Sequence, residues 1–211
     1  MLALLLCVSQ IPSAQAKTIH ATQKDSVWEV ERQAESGWQR GGTAFIVTHG
    51  TRQYVVTCKH VVEGTETVVR DGKIMDVPYK GYRVKQGATV REIEFKSMPD
   101  QDIAAAKVSG FKKTARISLI QPMIGDKVYA LGFPASEFLT ISEGIVNRYA
   151  TFEGRVMIGH SADVYYGNSG GPLFDERGEV VGVNSMMHRE AKHLYWSEIA
   201  GSKFRKFLEG L

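Results

Sequence analysis

Short runs of β-branched and aromatic residues, broken every few positions by Gly, Asp or Asn, dominate this chain and predict strands. The runs are Ser26–Val30, then Thr43–Thr48 and Tyr54–Cys58 on either side of a His49-Gly50-Thr51-Arg52 turn, Thr67–Arg70, Thr89–Phe95 and Ile103–Val108. They continue with Lys127–Leu131, Ile145–Ala150, Arg155–Ile158, Leu173–Phe174 and Val180–Val183. Asp71-Gly72, Glu153-Gly154 and Arg177-Gly178 are tight-turn signals. Eleven short strands with turns between them imply a sandwich or barrel rather than alternating strands and helices.

Two segments break the pattern. Leu2 to Val8 is an apolar run, followed by Ala14-Gln15-Ala16 in the small-x-small form that signal peptidase accepts. Residues 1–16 therefore read as a secretory signal, with residues 17–211 as the mature domain and a secreted or periplasmic destination. The run is too short to span a bilayer, so no membrane association is expected once it is removed. At the other end, Phe204, Phe207, Leu208 and Leu211 recur at helical spacing after Gly201 and a potential cap at Ser202. Residues 202–211 read as an amphipathic helix packing one face on the domain.

A length of 211 residues with 43% apolar and 23% charged positions suits one sizeable core, and no repeat or linker divides it. The net charge of +3 comes from scattered Lys and Arg, which argues against nucleic acid as a partner. Of the two cysteines, Cys7 leaves with the signal, so Cys58 has no partner for an intramolecular disulfide. Nothing in the sequence speaks to the oligomeric state.

Three motifs carry chemistry. Gly167-Asn168-Ser169-Gly170-Gly171-Pro172 frames a serine with glycines, which let the backbone fold so that successive N–H groups point into one cavity. A serine hydroxyl is a useful nucleophile only where a base removes its proton and donors stabilise the oxyanion. The amides of Gly167 and Ser169 are the candidate donors. Val55-Val56-Thr57-Cys58-Lys59-His60 ends a buried strand in a histidine at the barrel rim, a suitable place for a general base. His20, His49, His160, His188 and His193 read as structural or solvated, and none shows metal-ligand spacing. In Pro99-Asp100-Gln101-Asp102-Ile103-Ala104, a carboxylate heading an apolar strand needs hydrogen-bond donors, and an imidazole N–H supplies one. Asp102 abuts the strand directly; Asp100 is its rival.

The chain order His60, Asp102, Ser169 resembles that of chymotrypsin-like serine peptidases, most of all the bacterial trypsin-like and HtrA-like branch. Gly42-Thr43-Ala44-Phe45-Ile46-Val47, Thr57-x-x-His60-Val61-Val62, Asp102-Ile103-Ala104, Gly125-Asp126-Lys127-Val128, Ser142-Glu143-Gly144-Ile145-Val146 and the Ser169 motif resemble that branch's landmarks in its order. The resemblance implies two packed antiparallel β-barrels, about 26–112 and 117–199, with the site in the cleft between them. It implies a serine endopeptidase acting on protein or peptide through an acyl-enzyme, with no metal or organic cofactor. Alternatives are a non-catalytic peptide-binding protein on the same fold, or an esterase-like or toxin-like hydrolase. It further implies that Val181–Asn184 is an edge strand pairing with substrate, with Val183 and Asn184 as substrate-binding positions. Asp163, six residues before Ser169, would lie at the specificity-pocket floor and favour Arg or Lys, or else face solvent. No PDZ pattern follows the peptidase motifs.

Overall fold

The computed structural model describes residues 12–135, 138–187 and 194–211. Helix α1 (Ala14–Gln23) precedes strands β1 (Val27–Ala34), β2 (Gly37–His49) and β3 (Arg52–Thr57), a single helical turn α2 (Lys59–Val62), and β4 (Thr65–Arg70) and β5 (Lys73–Pro78). Then follow β6 (Tyr82–Gln86), β7 (Thr89–Glu92), β8 (Lys96–Ser97), β9 (Ala104–Val108) and β10 (Ala115–Ile117). The second half holds β11 (Lys127–Gly132), β12 (Thr140–Phe152), β13 (Arg155–His160), β14 (Pro172–Phe174), β15 (Glu179–Met187) and β16 (Tyr195–Ile199), and ends in helix α3 (Ser202–Glu209).

Strands β14-β11-β12-β13-β16-β15 form a closed barrel, because β15 returns to pair with β14. Closure removes the unpaired edges that an open sheet exposes. Alternation along β11 serves two cores: Val128 and Ala130 pack inside this barrel, while Tyr129 and Leu131 face a core shared with the other half. The N-terminal half runs β7-β6-β1-β2-β3-β9-β8 and does not close among the described residues; β4 and β5 form a separate hairpin. Both halves are antiparallel throughout, as the all-β reading expects. β10 joins them by pairing in parallel with β2 on one side and β15 on the other. The shared core, which includes Phe45, Val55, Tyr129, Phe174 and Phe204, runs from one half into the other.

The terminal helices cross over: α1 lies against β11 and β12, and α3 against β9. α1 spans the Ala16–Lys17 junction where the expected signal ends, with Ser13 Oγ accepting the Ala16 N–H at 3.1 Å and Ala16 and Ile19 buried. Residues 1–11, including the apolar run and Cys7, lie outside the described residues. α3 buries Phe204 and Leu208 as its periodicity requires, but Gly201 occupies the cap position and Ser202 is already the first helical residue.

Among the described residues sixteen strands form where eleven were legible. In the missed β6, Tyr82-Arg83-Val84-Lys85-Gln86, only Val84 is fully buried, so charged residues on the outer face hide the alternation. The missed β16 buries Ser197 and Glu198 among its apolar residues, so it too lacks an apolar pattern. The expected Ser26–Val30 strand begins at Val27, because Lys24–Ser26 forms a 3-10 turn.

Candidate active site

β3 delivers Cys58 to the barrel rim, and the short turn α2 that follows presents His60, whose side chain is 49% exposed. Asp102 lies two residues before β9, with its side chain 13% exposed. Its carboxylate receives the His60 backbone N–H on Oδ1 at 2.9 Å and His60 Nδ1 on Oδ2 at 2.6 Å. A third donor, Ser185 Oγ, reaches Oδ2 at 2.6 Å. Burial pushes the Asp102 carboxyl up, but the hydrogen bonds and charge of His60, with Ser185, outweigh it and hold the group below the usual carboxylate range. An ionised Asp102 fixes the neutral imidazole with its proton on Nδ1, leaving Nε2 as the basic nitrogen. Asp100 is exposed and stands apart from this arrangement.

Ser169 sits on the loop before β14. Gly167 has φ +100° and Gly170 φ +87°. A methyl at Gly170 would collide with Thr57 Oγ1 and the Thr43 carbonyl, so this position requires glycine for both conformation and space. The loop is tied down through its backbone: Asn168 N–H donates to Tyr165 O, Gly170 N–H to Asn184 O and Gly171 N–H to Asn168 O, all within 2.8–2.9 Å. Among the described residues, the N–H groups of Gly167 and Ser169 have no protein acceptor, which suits the donor role expected of them. Ser169 Oγ donates to Ser185 O at 3.3 Å, so the hydroxyl is directed at that carbonyl rather than at His60.

Sequence reasoning missed the residues that connect these parts. Ser185 touches both, through its hydroxyl to Asp102 and its carbonyl to Ser169. Thr43, on β2, donates its N–H to Ser169 O at 2.9 Å and its hydroxyl to Gly167 O at 2.7 Å, so the N-terminal half grips the Ser169 loop. Behind Asp102, wholly buried Glu198 accepts the Asp102 N–H at 3.2 Å and pairs with Arg155 at 2.8 Å. No local signal marked Glu198: its need for partners follows from burial, which only the fold supplies.

The expected substrate-binding positions divide. Asp163 is half-buried; its Oδ1 accepts from Tyr195 Oη at 2.9 Å and its carbonyl accepts from Ser142 at 2.6 Å. Val183 and Asn184 are fully buried and do not form an edge. Val183 pairs with Pro172 and with Glu198, and Asn184 N–H and C=O bond Gly171 O and Gly170 N–H. The edge reading of Val181–Asn184 is therefore corrected: both flanks of that stretch are taken, and among the described residues no strand pairs with β15 on the side toward the Ser169 loop beyond Asn184.

His160 and Cys58 are structural. His160 is fully buried with Nε2 at 3.0 Å from Ser197 Oγ, and burial lowers it to about 3, so it stays neutral. His49 meets Glu209 at the surface, and His188 and His193 lie outside the described residues. The Cys58 thiol is pushed well up by burial, Asp102 and Glu198, and donates to Asn184 O at 3.1 Å. This describes packing filler, not a nucleophile. Cys58, His60 and Asp102 are the described group whose potential ligand atoms lie within 4.8 Å of one another, yet all three are already committed to these hydrogen bonds.

Residues 42–183 match the family of trypsin-like peptidase domains. The chain is 30% identical over 157 residues to the probable periplasmic serine endoprotease DegP-like of Hahella chejuensis, covering 71% of this chain and 30% of that protein. It is 28% identical over 148 residues to the serine endoprotease DegS of Escherichia coli K12, covering 64% and 37% respectively. It thus spans about a third of the length of these relatives. The solved serine endoprotease from Yersinia pestis superposes with a TM-score of 0.73 at 21% identity, over 95% of this chain and 67% of that one, a likeness of fold.

Proposed function

The chain belongs to the family of trypsin-like peptidase domains, and we propose that it is a serine endopeptidase in which Ser169 attacks, His60 moves the proton and Asp102 orients His60. His60 Nε2 takes the Ser169 proton as Oγ adds to the peptide carbonyl, after the hydroxyl rotates away from Ser185 O. The oxyanion is met by the N–H groups of Gly167 and Ser169. Imidazolium then protonates the leaving amine, and water repeats the sequence on the acyl-enzyme. Ser185, through its hydroxyl on Asp102, is a positioning residue in this scheme. The observation that carries the reading is the 2.6 Å bond from His60 Nδ1 to a carboxylate held ionised, together with a serine loop whose Gly167 and Ser169 N–H groups have no acceptor among the described residues.

The stretch of β15 from Ser185 to Met187, which pairs with no strand toward the Ser169 loop among the described residues, is where extended substrate backbone pairs. Asp163, bonded to Tyr195, is the pocket floor, so a basic side chain before the cut meets a carboxylate that already accepts one hydrogen bond. The peptidase acts outside the cytoplasm, in keeping with the periplasmic naming of a relative. One observation favours a peptide-binding protein without cleavage instead: the direction of the Ser169 hydroxyl. Labelling by a fluorophosphonate decides between them. Covalent modification of the wild-type chain, lost in Ser169→Ala, is the expected result; an unlabelled, folded wild-type protein refutes the peptidase reading.

A further inference from the structure

The Asp102 backbone is held from behind by a charge that the proposed chemistry does not use. Glu198 belongs to β16 of the closed barrel and its side chain is 0% exposed. Oε1 accepts Arg155 Nη1 at 2.8 Å and the Asp102 N–H at 3.2 Å, and Oε2 accepts Gln101 Nε2 at 3.4 Å. Arg155, on β13 of the same barrel, is 19% exposed and also reaches Glu153 at 3.5 Å. The two donors other than Arg155 come from the N-terminal half, so this carboxylate spans the boundary between the halves at Asp102.

A buried ion pair is a poor way to add stability, because the desolvation of two charges offsets most of their attraction, and apolar residues of similar volume often do better. Its physical advantage is positional: a carboxylate with three donors on two of its oxygens fixes where those donors lie. Here one donor is the main chain of the residue that orients His60. The two carboxylates also act on each other, the Asp102 charge raising Glu198.

We infer that Glu198, with Arg155 as its counter-ion, is a positioning residue for the Asp102–His60 pair, fixing Asp102 from the opposite barrel and adding its negative charge to the field at His60. The inference rests on the peptidase reading for its kinetic consequence, but the hydrogen bonds that run from Glu198 to the Asp102 N–H and from the Asp102 carboxylate to His60 do not depend on cleavage. Burial, helped by the Asp102 charge, holds Glu198 above the usual carboxylate range, against the Asp102 amide, Arg155 and Gln101, which favour its ionised form. Asp102, Cys58, Arg155 and, through Arg155, Glu153 are the charged or titratable groups around it. Lys59, Asp100 and Lys203 share the adjoining cavity of about 620 Å³ beside Asp102.

E198Q separates charge from shape. Its amide oxygen still accepts from Asp102 and Arg155, while Gln101, whose buried Oε1 has no partner among the described residues, rotates to accept from the new amide nitrogen. Removing a negative charge near an imidazole disfavours its protonated form, so the His60 titration followed by NMR moves to lower pH, by roughly 0.3–1 unit. The acid limb of kcat/KM moves with it. E198A, which also removes the acceptor, loses at least about tenfold in kcat with KM within about twofold, and E198Q recovers most of that loss. If E198A fails to fold, the E198Q titration decides alone. A His60 midpoint unchanged in E198Q overturns the inference, as does a folded E198A with wild-type kcat. Failure of the peptidase reading shows separately, as an unlabelled wild-type protein whose His60 midpoint still moves in E198Q.

Discussion

The closed C-terminal barrel and the more open N-terminal half hold their parts of the candidate site by different means. The Ser169 loop is set by main-chain hydrogen bonds and by glycines that admit close approach, so its geometry is steric and carries no net charge. His60 and Asp102 rise from a half with free sheet edges and a detached hairpin, where Val69, Ile74 and Met75 lie exposed. They are set by charge-assisted bonds, two of which come from the other barrel through Ser185 and Glu198. Thr43 returns the arrangement by gripping the Ser169 loop. A sheet that does not close cannot by itself hold a loop residue at its rim to a few tenths of an ångström, and each half therefore completes the other.

Deleting the hydroxyl of Ser169, the proposed nucleophile in the steric half, has the largest expected effect. Ser169→Ala removes one oxygen, leaves the fold intact, and lowers turnover on the order of 10⁶-fold, read as initial rates on a peptide substrate with unchanged unfolding behaviour. Substantial cleavage by this variant would place the nucleophile elsewhere. Next comes the charge-held half: Asp102→Asn lowers kcat by about 10⁴-fold by losing the carboxylate that fixes the tautomer, whereas Asp100→Asn at an exposed position changes it by less than about threefold. A reversed ranking reverses the assignment of the two aspartates.

Acid should loosen the two barrels in different pH windows. His160, buried in the closed barrel, is lowered to about 3 from 6.5. The unfolded chain therefore binds a proton that the folded one refuses. Its contribution to stability is complete above about 6.5 and falls by about 1.4 kcal/mol per pH unit as pH drops toward 3. Asp102, held low in the folded state, contributes above its ordinary value and loses that contribution only as pH falls through its depressed one. Urea unfolding at a series of pH values should show a shallower slope between 6.5 and 4 in His160→Gln, with the lower window unchanged. An identical slope would mean that His160 does not govern it.

The smallest effect sharpens the comparison at the helices. α1 on the closed barrel has a side-chain cap from Ser13, while α3 on the open half has none. Ser13→Ala should cost about 1 kcal/mol, read as a lowered urea midpoint in protein that retains residue 13. No change would show α1 to be frayed at its start.

Residue type and order in the sequence determined which groups could do the chemistry. A glycine-framed Ser169, a His60 ending the Val55–Thr57 run and an Asp102 heading an alanine-rich strand are local signals, since each depends on its immediate neighbours. The period-2 runs likewise marked most strands, because side-chain alternation is a property of the strand alone. Tertiary structure decided the closure of β14 on β15, the burial of Val183 and Asn184 between two neighbours, and the meeting of Ser185, Thr43 and Glu198 with residues up to 126 positions away. None of these carries a local mark. A serine, a threonine or a glutamate in a strand is ordinary until the fold buries it, and only then does its need for a hydrogen-bond partner select what it holds.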